Sequence, residues 1–98
     1  MDKIVIPQNT FGKYLRFTNT PEDWSVGVWF SVWTDRNSPF VQGECDLIDG
    51  QWCYLIQEGD FPTPGIFSWE LCQYVGGTVN DVTMRGTLEV VESAKKPS

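Results

Sequence analysis

The sequence predicts an all-β protein built as an antiparallel β-sandwich, and three observations carry that prediction. Turn signals recur along the chain at Pro7-Gln8-Asn9, Asn19-Thr20-Pro21, Asp35-Arg36-Asn37-Ser38-Pro39, Asp49-Gly50, Glu58-Gly59-Asp60, Pro62-Thr63-Pro64-Gly65 and Gly76-Gly77. The runs between them, about five to eleven residues each, are rich in Val, Ile, Phe, Trp, Tyr and Thr, which suit a pleated, half-buried surface. No window carries a sustained i, i+3, i+4, i+7 apolar stripe, so no long helix is expected.

The strands follow in order. The first two are expected over residues 2–6, around Ile4-Val5-Ile6, and over 12–18. The third, 25–34, places Val26, Val28, Phe30 and Val32 on one side and Ser25, Gly27, Trp29, Ser31 and Trp33 on the other. Two large rings on a supposedly outer face are unusual. Residues 40–48 and 51–57 form a hairpin around Asp49-Gly50, a type I′ turn pair suited to positive φ at both central positions. Residues 65–75 form the sixth strand. The seventh, 81–91, alternates Val82, Met84, Gly86, Leu88 and Val90 against Thr83, Arg85, Thr87 and Glu89, one face for the core and one for water. About seven short antiparallel strands in 98 residues is the arithmetic of an immunoglobulin-like sandwich, although the Cys-Trp-Cys frame of antibody domains is missing.

The length allows one domain, residues 1–92, followed by a polar tail, 93–98. A 41% hydrophobic and 20% charged composition is that of a chain that folds around a core. The net charge is −6 and the seven basic residues are scattered, with only Lys95-Lys96 adjacent. Nucleic-acid binding needs a basic surface, so no nucleic-acid partner is expected. Met1-Asp2-Lys3 leads into three apolar residues before Pro7, too few for a signal peptide. No apolar run reaches the ~20 residues of a membrane span, so no membrane partner is expected.

Chemistry has few carriers. The chain has no His, and its three cysteines, Cys45, Cys53 and Cys72, make no C-x-x-C spacing. Zinc normally takes four Cys or His ligands, so no metal is expected and the thiols read as reduced core residues. Asp46 with Asp49, and Glu58 with Asp60, could offer oxygens to a hard cation. The EF-hand spacing is absent, however, and turn acids are ordinary. Cys53 stands between Trp52 and Tyr54 in a strand and nothing basic accompanies it, so a thiol nucleophile lacks its base. No phosphate-cradling G-x-x-x-x-G-K-[ST] loop occurs. No catalytic residue and no cofactor are expected, and the protein reads as a non-enzyme. The surplus is aromatic: five Trp, six Phe and three Tyr. Two inner faces cannot bury every ring. Trp24, Trp29 and Trp33 are therefore the candidate partner-binding residues, since interfaces concentrate energy in such rings.

Three stretches carry a resemblance. Asp49-Gly50-Gln51-Trp52-Cys53-Tyr54-Leu55-Ile56 is a turn leading into an aromatic strand. Pro64-Gly65-Ile66-Phe67-Ser68-Trp69-Glu70-Leu71 is a P-G-x-[FY]-x-[FWY]-x-L string. Gly76-Gly77 followed by Arg85-Gly86-Thr87-Leu88-Glu89-Val90 closes the chain. With the opening Gly12-Lys13-Tyr14-Leu15-Arg16-Phe17, this order resembles the immunoglobulin-like N-terminal domain of phage baseplate upper proteins and similar domains of phage head and tail accessory proteins. The resemblance implies a virion structural protein, made in the host cytoplasm and present in multiple copies per particle. Baseplate proteins continue into a long stem that this sequence lacks, which favours a capsid decoration protein bound to the major capsid protein or another virion protein. A tail or baseplate attachment domain is the alternative within that class. From other classes stand a carbohydrate-binding module using exposed tryptophans and an inhibitor of a host defence enzyme acting by acidic mimicry.

Overall fold

The computed structural model describes residues 2–18, 24, 27–35, 37–75 and 78–93, the side chains of 2, 75 and 78–83 excepted. The expected turns at Asn19-Thr20-Pro21 and Gly76-Gly77, the facing of Val26 and Val82, and tail residues 94–98 lie outside the described residues. Among the described residues the chain is all-β, with eight strands: β1 Asp2–Pro7, β2 Tyr14–Phe17, β3 Val28–Trp33, β4 Val41–Glu44, β5 Asp46–Ile48, β6 Gln51–Leu55, β7 Gly65–Val75 and β8 Thr78–Val91. They form two sheets, a five-stranded one ordered β1-β8-β7-β3-β4 and a three-stranded one ordered β2-β6-β5.

Two features depart from the expected plan. The stretch read as one strand over 40–48 is two. Cys45 N–H still donates to Val28 O on β3 at 2.8 Å, whereas Asp46 already pairs with Cys53 on β6. The chain therefore passes from one sheet to the other at Cys45. Pairing is also not antiparallel throughout: β1 runs parallel to β8, with Ile4 opposite Leu88 and Ile6 opposite Val90. The next strand, β2, lies in the other sheet, so β1 has no hairpin partner to set its direction. Its C-terminal end is tied down by Gln8 N–H to Val91 O at 2.8 Å and Asn9 N–H to Phe61 O at 2.9 Å.

Elsewhere the described side chains keep the period-two pattern, except where the β7–β8 ladder shifts register at Leu71/Cys72 and Gln73/Tyr74. On β3, Val28, Phe30 and Val32 are fully buried. On β7, Trp69 and Leu71 point inward while Ile66 is exposed. On β8, Leu88 and Val90 are buried and Met84 packs against the core. The β5–β6 hairpin turns on Asp49 and Gly50, at φ 50° and 78°, the left-handed pair a type I′ turn needs. Rings tie the sheets together. Phe17 from β2 meets Phe30 of β3 at 5.4 Å between centroids and Trp69 of β7 at 5.6 Å, and Tyr54 of β6 meets Phe30 at 4.9 Å. Trp52, Ile56 and Phe61 complete this core.

Candidate functional site

The outer face of the five-stranded sheet is assembled by register. Trp29, Ser31 and Trp33 alternate with the buried residues of β3. Across β4, Glu44 lies opposite Trp29 and Gln42 opposite Ser31. Across β7, Cys72, Glu70 and Ser68 lie opposite the same three residues. Arg85 then stands opposite Glu70. A polar row, Gln42-Ser31-Glu70-Arg85, thus crosses the face between the two tryptophans.

The middle of that row is covered, while Gln42 and Arg85 at its ends are exposed. Ser31 is 3% exposed and Glu70 6%, although both point away from the core. In a strand, side chains stand perpendicular to the sheet, so the flanking groups provide the cover. Trp29 and Trp33 are half-buried. Trp29 packs edge-on against Tyr74, with centroids 6.2 Å apart and planes at 86°. Gln42 Nε2 donates to Ser31 Oγ and to Tyr74 Oη, both at 3.4 Å. Burial, then hydrogen bonding with Cys72, pushes the Tyr74 phenol above its usual range. Tyr74 is held in place by its own backbone, whose N–H donates to Gly27 O at 2.8 Å. Gly27 has φ 73°, and a Cβ there would run into the Tyr74 carbonyl, so this crossing requires glycine.

The three tryptophans singled out from sequence separate. Trp29 and Trp33 sit on the outer face as alternation requires. Trp24 is 4% exposed and belongs to the core cluster, so as it stands it offers a partner no ring surface. It precedes β3 on a segment without strand periodicity, where period two has no authority.

The remaining candidates resolve in physical terms. Cys53 does have a basic neighbour: register sets Arg16 opposite it, with Nη1 4.0 Å from Sγ. The thiol is nonetheless fully buried and donates to Gln51 O at 3.5 Å, which closes it to a substrate. Burial first, and the charge of Asp46 next, push the Cys45 thiol from 9.0 up to about 12. All three cysteines are buried and free of disulfides. Among the described residues no group of three or more His, Cys, Asp or Glu could hold a metal ion. Asp60 serves its own loop instead, its Oδ2 accepting from Tyr54 Oη at 2.6 Å and from Gln57 N–H at 2.9 Å.

Sequence reasoning missed two things. One is the Tyr74–Gln42 support beneath Trp29, which depends on register and on irregularities at Leu71/Cys72 and Gln73/Tyr74 in the β7–β8 ladder. The other is a groove of about 410 Å³ between β4 and β6, whose wall is made by residues from both sheets. Compared with family models, curated proteins and solved structures, the chain shows no match.

Proposed function

We propose that this chain is a non-enzymatic attachment domain of a phage particle, a decoration protein that binds the capsid shell or another virion protein through the outer face of its five-stranded sheet. The observation that carries the reading is the placement of Trp29 and Trp33. Both rings stand half-buried outside the core, on a strand paired on both sides, flanking Ser31 and Glu70, which are already covered. A partner laid on this face finds apolar ring surface without having to desolvate Ser31 or Glu70. The likeness of the Asp49-Gly50 strand, the Pro64-Gly65 string and the closing strand to phage accessory domains supports the particle as the place.

Burying a large side chain contributes roughly 1.5–3 kcal/mol. One such contact is weak; two rings on one face, flanking the Ser31 row, contribute together. A shell presents its sites in a lattice, so contact with two subunits raises occupancy through effective concentration. The test is sedimentation of the purified chain with phage particles. Trp29→Ala and Trp33→Ala are expected to stay folded and to stop travelling with particles. If the same variants lose binding to immobilised glycans while particle binding is unchanged, the carbohydrate reading replaces this one.

A further inference from the structure

We propose that the groove between β4 and β6 receives an extended, basic segment of a partner protein as an added β-strand. This site uses other residues than the tryptophan pair and stands whether or not the domain belongs to a particle. Its origin is the sheet switch at Cys45. β4 ends one sheet and β5 ends the other. Cys45 N–H bonds back to β3, and the register then turns the backbone groups of Val41 and Gly43 to β3 as well. Those of Gln42 and Glu44, alternating with them, face outward along the groove. On the opposite wall, β6 loses β5 beyond the Asp46–Cys53 pair. Ile56 N–H and C=O bond toward Lys13 and Gly12, so those of Leu55 face the groove. There Gln57 Nε2 donates to Leu55 O at 2.9 Å, standing where a strand would be. Strand edges with outward-facing backbone groups are templates for an extended chain.

The lining states the chemistry of the occupant. Glu44, Asp46 and Asp60 are among the residues that line it, and no Lys or Arg is. That is complementary to lysine or arginine side chains. At one end Phe40, 45% exposed, separates the groove from an apolar hollow of about 280 Å³ bounded by Phe61, Pro62 and Phe67. Phe40 packs edge-on to Phe67 at 4.9 Å, which leaves its outer side to the groove. Side chains of a strand alternate between its two sides. The matching segment therefore alternates basic residues with apolar ones and ends in a large apolar side chain set against Phe40. A sugar would instead need broad ring faces, and the second aromatic of the lining, Tyr54, is 5% exposed.

The experiment uses the whole isotope-labelled chain and a short capped peptide alternating lysine with valine and phenylalanine, followed by amide NMR. Saturable shifts are expected at Gln42, Glu44 and Leu55. A peptide with glutamate in place of lysine should leave them unmoved, and methylating the peptide's backbone nitrogens should abolish binding. The double variant Glu44→Lys/Asp46→Lys, on exposed side chains, should bind about tenfold more weakly, because exposed ion pairs are modest individually and here are reversed together. High salt should weaken wild-type binding as well, a second measurement that does not depend on the variant folding. Binding indifferent to charge reversal and salt, or surviving backbone methylation, would overturn the proposal. So would oligosaccharides that saturate these amides where the peptide does not, or shifts at them that appear on concentrating the chain alone, which would assign the groove to a second copy.

Discussion

Gly43 shows how a single residue positions a site. A Cβ at this position would lie 2.5 Å from Tyr54 Cε1, so only glycine lets the phenol pass β4 and reach the Asp60 carboxylate. Gly43→Ala should destabilise by ~1–3 kcal/mol, as overpacking does. In a Tyr54→Ala background the same change should cost far less, because the clash partner is gone. Chemical denaturation of the four proteins measures this directly. Titration supplies a second prediction. Burial, then the hydrogen bond to Asp60, pushes the Tyr54 phenol above its ordinary 10.0, and the buried Cys45 thiol is pushed from 9.0 up to about 12. Well below pH 9 both groups stay protonated, folded or unfolded, and contribute no slope. Above it the unfolded chain releases these protons first while the folded chain retains them, so stability should fall as pH rises from 9 towards 12. Urea denaturation on both sides of pH 9 tests the sign, and flat or rising stability would contradict it.

The elements themselves were largely legible in the amino-acid pattern. The alternation in β8 and β3, the positive-φ pair at Asp49-Gly50 and the strand after Pro64 all have local causes, and they lie where those causes put them. The break at Cys45 was not legible. Period two tells which residues share a face, and Val41, Gly43 and Cys45 keep one phase while the chain changes sheets. The parallel β1–β8 pair was hidden for a related reason: its partners are far apart in sequence, and no turn residue records their direction. Leu88 tests the element account. It is fully buried, opposite Phe67 on β7 and Ile4 on β1. Leu88→Ala should cost ~2–5 kcal/mol. A loss below about 0.5 kcal/mol would mean that β8 is paired one residue out of register, which would turn this side chain outward.

At the scale of the whole molecule, the aromatic surplus divides between interior and surface. Trp24, Trp52 and Trp69 fill the interior, whereas Trp29 and Trp33 remain on a face the core does not use. Strand alternation made that pair legible. Trp24 had no period to place it, and the groove beside β4 joins residues 40–46 to 54–60 across two sheets, a contact no local pattern encodes. Hydrogen exchange should follow the same architecture, slowest in β3 and β7, which are paired on both sides, and fastest in the end strands β2 and β5. The central claim is that the molecule attaches to a virion through its outer sheet face. It is tested most directly by sedimenting wild-type and Trp29→Ala/Trp33→Ala proteins with purified particles of a phage found to encode the chain. The account predicts that the wild type pellets with particles and the folded double variant stays in the supernatant. A double variant that pellets as well as the wild type, or a wild type that never pellets, would contradict it.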